Sequence, residues 1–253
     1  MFYIMKIENY WTKRQTVRNF SDKEILEELL CSLLEKASFA PTTGNMQLYS
    51  VVVTKDLENR KKLAAFHFNQ PASVSAPVLL TFCADFNRFI KWCEQRNAEP
   101  GFDNFQSFIS AMLDVAIFAQ QFNTIAEING LGCCYLGTTT YNAHLIAKQL
   151  ELPKFVIPVV TLAVGYPDGE AEYVGRLPID SIIHTEKYKD YSQEDINDCY
   201  SEKESRTDSK RFIAENNKEN LAQVFTDVRY PKSQNEEFSK YFTDFIKSQG
   251  FKF

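Results

Sequence analysis

The chain has 253 residues, of which 44% are hydrophobic and 24% are charged, and its net charge is −5. A hydrophobic fraction of this size, with only nine glycines and nine prolines, excludes a chain that is mainly disordered or collagen-like. The acidic balance argues against a protein built to bind nucleic acid. No apolar run approaches the roughly 20 residues that cross a bilayer, so we expect no membrane association.

Hydrophobic periodicity predicts helices and strands along the first two thirds of the chain. Ser21 and Glu24 have the spacing of a capping box, which predicts a helix that ends near Pro41. Residues 105–128 predict a long helix that is apolar around much of its circumference, as expected for burial in a core or against a second subunit. Shorter helices are predicted at 57–68 and 142–150. Strands are predicted at 50–54, 78–84, 133–137 and 155–165.

The character of the sequence changes after Tyr166. Residues 192–220 are strongly charged and predict surface helices, and a last amphipathic helix is predicted around 238–246. We therefore expect an α+β core at 1–166. Residues 167–253 would form a helical excursion and a C-terminal extension that pack on the core or on a partner subunit, in a single domain overall.

The six cysteines and three histidines indicate no metal site. No cysteine has CxxC spacing, and the adjacent Cys133 and Cys134 are poorly placed for an ordinary disulfide. A nucleophilic thiol needs a positively charged, partly exposed setting, which nothing near this pair supplies. We expect reduced thiols and a cytoplasmic protein, since residues 1–13 also lack the features of a secretory signal.

The segment from Arg14 to Arg18 has the composition of a phosphate site. If it is extended, Arg14, Thr16 and Arg18 share one face, which would carry two guanidinium groups and a hydroxyl. Guanidinium groups bind phosphate through two parallel hydrogen bonds. An ordinary polar surface segment is the alternative interpretation.

Three other segments have weaker signals. The polar loop at 41–47 could line a ligand or simply end a helix. Residues 130–135 nearly match a dinucleotide fingerprint, but Tyr135 replaces the third glycine and the segment precedes a strand, so we reject that reading. Gly137 would let a flat ligand approach the backbone. The basic cluster of Arg206, Lys210 and Arg211 is either a solvated face or a site for a 2′-phosphate.

Taken in order, these segments resemble the nitroreductase superfamily of FMN enzymes. The resemblance is closest to the NADPH-preferring branch, which includes the oxygen-insensitive nitroreductases and flavin reductase P. The similar segments follow the family's order over nearly the whole chain and lie at 14–20, 40–47, 82–88, 130–137, 152–153, 165–167, 176–178 and 249–251.

The resemblance implies both a fold and an activity. The fold is α+β and nitroreductase-like, with a central mixed, mainly antiparallel sheet flanked by helices, in a domain-swapped-type homodimer with two FMN sites between the subunits. The activity is that of an FMN-dependent NAD(P)H oxidoreductase that reduces nitroaromatics, quinones or free flavin by hydride transfer through flavin N5 in a ping-pong cycle. The alternatives are a flavin-binding protein without turnover, a flavin-dependent dehalogenase or a dedicated flavin reductase.

The resemblance also implies the residues that bind FMN. Arg14, Thr16 and Arg176 would hold the phosphate. Arg18 would lie near the pyrimidine ring, Gln70 would hydrogen-bond the ring, and Gly137 would offer its N–H towards N5. The remaining implied contacts are Gln15, Val17, Thr42, Thr43, Gly44, Tyr135, Leu136 and Thr138. The branch usually has a lysine where this chain has Val174, so one phosphate or flavin cation is missing. The donor would be NADPH, as the branch prefers, or NADH.

Overall fold

The computed structural model describes residues 7–171 and 174–253. Residues 1–6, which belong to the segment examined for a secretory signal, lie outside the described residues. The chain divides into two compact units. One comprises Met1–Glu172 with Phe238–Phe253, and the other comprises Tyr173–Glu237.

The first unit is built on a four-stranded sheet. Its strands are β1 (Tyr49–Thr54), β2 (Val78–Asp85), β3 (Gly132–Leu136) and β4 (Val156–Gly165), in the order β1-β2-β4-β3. All three pairings within this sheet are antiparallel. The described residues also contain one isolated parallel bridge, between Asn104 and Lys252. Every residue of β2 is buried, as the continuous apolar run of this strand predicts.

Helices surround the sheet and also form the second unit. The helices up to β4 are α1 (Ile7–Lys13), α2 (Glu27–Ala37), α3 (Leu57–Phe66), α4 (Pro71–Ser75), α5 (Asn87–Gln95), α6 (Phe105–Ile128) and α7 (Ala143–Gln149). Those that follow are α8 (Gln193–Ser205), α9 (Thr207–Glu215), α10 (Leu221–Gln223) and α11 (Lys232–Ser248). A π-helical turn spans Val224–Arg229.

The long helix α6 is the centre of the core. Its bounds agree with the predicted 105–128, and ten of its residues are buried. Phe118 and Phe122 contact Phe82 of β2, with ring centroids 5.4 and 6.1 Å away. By length and composition α6 could cross a membrane, which corrects the expectation that no apolar segment is long enough. Its buried side chains make it a core helix of this unit.

The predicted start of the second helix is wrong. Helix α2 begins at Glu27, and its N-cap residue Leu26 makes no side-chain cap bond. Ser21 instead donates its backbone N–H to the carbonyl of Tyr166 at 2.9 Å, next to a bridge between Phe20 and Pro167. The N–H that a capping box would direct to Glu24 is thus paired with the residue after β4, and the helix begins six residues later.

Candidate functional site

The segment from Arg14 to Arg18 lies against β3. The N–H of Val17 donates to the carbonyl of Cys133 at 3.3 Å. A Cβ on Gly132 would lie within 2.8 Å of three atoms of the Val17 side chain, so only glycine admits this packing. Arg18 is exposed, and its guanidinium makes no hydrogen bond or ion pair with any residue that the structure describes.

Arg14 is held by a carboxylate at the end of α6. Its Nε and Nη2 lie 3.2 and 3.1 Å from the two carboxylate oxygens of Glu127, which also accepts a 2.6 Å hydrogen bond from the Tyr10 hydroxyl. Burial raises the pKa of Glu127, and the bonds from Tyr10 and Arg14 partly offset this rise. Two nitrogens of Arg14 are thus occupied, and its Nη1 contacts the Thr16 hydroxyl at 3.4 Å.

Arg14 is therefore not free to bind a phosphate through two parallel hydrogen bonds. Glu127 and Tyr10 were missed by sequence reasoning. The signal that could have found Glu127 is an acidic residue in the last turn of an apolar helix, where the helix dipole disfavours it unless a cation compensates. An open cavity of about 530 Å³ lies beside this cluster, and Gln15 and Val17 contribute to its wall.

The end of β3 presents open backbone. Gly137 is exposed, and no heavy atom lies within 4 Å of the position that its Cβ would take. Leu136 is buried, while the Tyr135 hydroxyl donates to the Gln120 side chain on α6 at 3.3 Å. The Thr138 hydroxyl lies 2.9 Å from Nδ1 of His67. A flat ligand can therefore approach the chain at Gly137 without meeting a side chain of that residue.

Hydrogen bonds connect three of the predicted segments. His67 contacts Thr138 through its ring and accepts the N–H of Gln70 at its carbonyl, at 3.2 Å. Gln70 precedes the short helix α4, whose last residue Ser75 donates its hydroxyl to the carbonyl of Arg18 at 3.3 Å. This series of hydrogen bonds links the backbone of Arg18 and Gln70 to the side chain of Thr138.

The loop with Thr42, Thr43 and Gly44 is anchored elsewhere. The N–H and hydroxyl of Thr43 donate to one oxygen of Asp114 at 2.8 and 2.9 Å. Asp114 precedes Glu127 by 13 residues in α6, which is about 20 Å at 1.5 Å per residue. Within one chain, the structure does not bring this loop to the anchor of Arg14. Asp114 is a third residue that sequence reasoning missed, after Glu127 and Tyr10.

Arg176 belongs to the second unit. Its Nη1 donates to the carbonyls of Val174 and Gly175 at 2.9 and 3.1 Å, and its side chain is exposed. Its convergence with Arg14 stays a prediction. In the basic cluster of the same unit, Arg206 pairs with Asp208 at 3.0 Å, and Arg211 lies 3.6 Å from Glu215.

The thiols next to the site are poor nucleophiles. Burial raises the pKa of both Cys133 and Cys134, and the neighbouring Arg14 only partly opposes this. A thiol with a raised pKa stays protonated near neutral pH, and the thiolate is the reactive form. Neither thiol therefore supplies a nucleophile to this region.

Comparisons with known proteins identify the family of this chain. The model of the nitroreductase family matches residues 12–166. The chain belongs to the nitroreductase family. A relative named FMN reductase (NAD(P)H) from Bacillus subtilis is 28% identical over 249 residues, which cover 95% of this chain and 96% of the relative.

Two solved structures of the same fold cover nearly the whole chain. A protein from Bacteroides fragilis, whose assignment as an oxidoreductase is provisional, is 52% identical with a TM-score of 0.95, over 96% of this chain and 99% of its own. The NfrA1 nitroreductase from B. subtilis is 26% identical with a TM-score of 0.83, over 97% of this chain and 98% of its own.

The residues of this nitroreductase-family chain fit FMN. The open approach to Gly137 suits a flat ring. Thr138 follows Gly137 in the chain, and His67 links Thr138 to the backbone of Gln70. Arg18 carries an exposed cation that suits an anionic ligand. The described residues contain no group of histidine, cysteine or acidic side chains able to hold a metal ion.

Proposed function

We propose that this protein is an FMN-dependent NAD(P)H oxidoreductase of the nitroreductase type. The observation that carries the proposal is the open backbone at Gly137, framed by hydrogen bonds that connect Thr138, Gln70 and Arg18. The names of its relatives, FMN reductase and nitroreductase, support the same activity. FMN, when bound, supplies the N5 atom that accepts and returns a hydride.

Each residue of the site then has a task. Thr16, Arg176 and the Nη1 of Arg14 bind the phosphate, and Arg18 stabilises negative charge at the pyrimidine end of the ring. Gly137 offers its N–H, and Gln70 bonds the ring. The remaining residues shape the walls of the site and come from three segments: Gln15 and Val17, Thr42 to Gly44, and Tyr135, Leu136 and Thr138.

The substrates alternate at one site. Either NADPH or NADH serves as the donor, and a small molecule such as a nitroaromatic, a quinone or free flavin serves as the acceptor. No side-chain nucleophile is required, which agrees with the protonated thiols of Cys133 and Cys134. We place the protein in the cytoplasm, where free cysteines such as these six stay reduced.

Anaerobic titration tests the activity. Protein reconstituted with FMN should be yellow, and NADPH or NADH added separately should bleach the flavin absorbance, which an acceptor then restores. A yellow protein that neither nucleotide bleaches would support the alternative of a flavin-binding protein without turnover. A protein that cannot be reconstituted with FMN would overturn both.

A homodimer is part of the same proposal. The loop at 42–44 is anchored about 20 Å along α6 from the anchor of Arg14, so one chain does not assemble all the predicted contacts. On the side of α6 away from the core, Leu113 and Ile117 are 53% and 42% exposed. An apolar stripe of this kind suits burial against a second copy, whose loop would complete the site.

Mixing two inactive variants tests whether the site is shared. Arg18→Ala damages one side of the site, and Gly44→Val damages the other, because a β-branched residue is strained at the φ of +55° that Gly44 adopts. In mixed dimers a shared site would be intact once, so about a quarter of all sites should regain FMN binding and activity. If each chain builds its own site, mixing restores nothing.

A further inference from the structure

His67 is a buried histidine that the proposed chemistry does not use. Its side chain has no exposed surface, and Nδ1 lies 2.9 Å from the Thr138 hydroxyl. The other ring nitrogen, Nε2, is buried and has no hydrogen-bond partner among the described residues. Its neighbours Phe68 and Asn69 have φ values of 56° and 50°, so the chain accepts a strained backbone directly after this residue.

The unpaired nitrogen determines which tautomer is favoured. Burial lowers the pKa of His67 to about 4, so the ring is neutral near pH 7 and carries one N–H. If that hydrogen were on Nε2, a buried donor would have no acceptor, and such orphaned N–H groups are rare in proteins. With the hydrogen on Nδ1, only a lone pair is left unpaired. Nδ1 therefore donates to Thr138.

This tautomer determines whether the Thr138 hydroxyl accepts or donates in each of its hydrogen bonds. An oxygen that accepts from His67 still has its own hydrogen to donate. The described residues offer this hydroxyl no other hydrogen bond. Thr138 is nearly buried, yet it directly follows Gly137, where the chain faces open space.

We propose that His67 fixes the Thr138 hydroxyl as a donor to a carbonyl oxygen or ring nitrogen of the bound flavin. Thr138 is then a cofactor contact, and His67 is a positioning residue that acts through it. The inference rests on the proposed function, since the acceptor atom belongs to FMN. A donor of this kind suits a heterocycle that presents an acceptor atom at its edge.

The tautomer is measured on the wild-type protein. Long-range ¹H–¹⁵N spectra separate the two neutral tautomers, and the chain has only two other histidines, His144 and His184. Signals that disappear in His67→Asn belong to His67. The expected result is a hydrogen on Nδ1. A hydrogen on Nε2 would overturn the inference without affecting the proposed function.

Binding measurements test the contact itself. Thr138→Val should raise the dissociation constant of FMN about three- to tenfold, the effect of losing one neutral hydrogen bond, and should shift the flavin midpoint potential. Thr138→Ser keeps the hydroxyl and should behave like wild type. His67→Leu should reproduce the effect of Thr138→Val, whereas His67→Asn, which retains a donor near Nδ1, should restore most of the affinity.

The binding measurements distinguish failure of this inference from failure of the proposed function. If wild type binds FMN and Thr138→Val binds it equally well with an unchanged potential, the inference is wrong and the proposed function stands. If His67→Leu and Thr138→Val together weaken binding no more than either alone, the two residues act as one unit, as proposed. If wild type does not bind FMN, both proposals fail.

Discussion

Removing the carboxylate of Asp114 should unfold the loop that carries Thr43 and Gly44. Asp114 is buried in α6 and accepts three hydrogen bonds from this loop, two from Thr43 and one at 3.2 Å from the N–H of Leu48. Gly44 and two residues after it have positive φ, so the loop is not a conformation that the chain favours on its own. The carboxylate holds it in place.

The loss of stability in Asp114→Ala depends on whether each former donor can find a new partner. Leu48 is completely buried, so its N–H would lose its only partner in Asp114→Ala at a cost of about 2 kcal/mol. The two Thr43 donors are near solvent and can bind water, so each bond contributes about 1 kcal/mol. We expect a total of about 4 kcal/mol for Asp114→Ala.

Asp114→Asn is the matched variant. Its remaining oxygen can still accept both Thr43 bonds, but its NH₂ group would face the N–H of Leu48, so we expect a loss of about 2 kcal/mol. Urea unfolding at one fixed protomer concentration measures both values, because the stability of a dimer depends on concentration. A loss below about 1 kcal/mol in Asp114→Ala would refute the assigned role.

The remaining predictions concern pH and packing. Burial lowers the pKa of His67 from 6.5 to about 4, so the unfolded state binds more protons at this residue between these values. The contribution of His67 to the free energy of unfolding should be constant above pH 6.5 and fall by up to about 3 kcal/mol as the pH drops to 4. His67→Asn should flatten this slope in urea titrations, and an unchanged slope would contradict the assignment. Gly132→Ala should cost about 1–3 kcal/mol, because the new Cβ meets Val17. Val17→Ala removes two of the three close atoms, so the double variant Gly132→Ala with Val17→Ala should lose less stability than Gly132→Ala alone. Thermal melts measure this difference. If Gly132→Ala and the double variant lose the same stability, the clash with Val17 is not the cause.

Helices and strands with a strong local hydrophobic pattern could be predicted from the sequence. The continuous apolar run of β2 and the periodicity of α6 describe these elements well, because burial acts on every residue of such a segment. The capping box at Ser21 failed because a residue 145 positions away, Tyr166, accepts its N–H. The pairing of His67 with Thr138 is also long-range, across 71 positions, and neither residue type is unusual where it stands.

Charged residues inside an apolar helix are the signal that connects fold and site. Asp114 and Glu127 are the only charged residues of α6, and each is buried or nearly so. A buried carboxylate persists only where donors or cations compensate for its lost hydration. Each of these two binds a loop or segment that the sequence links to ligand binding, one through Thr43 and the other through Arg14. Their 13-residue separation sets the two anchors about 20 Å apart along α6, and in the homodimer proposed above the loop of the second chain would reach the segment that Glu127 holds.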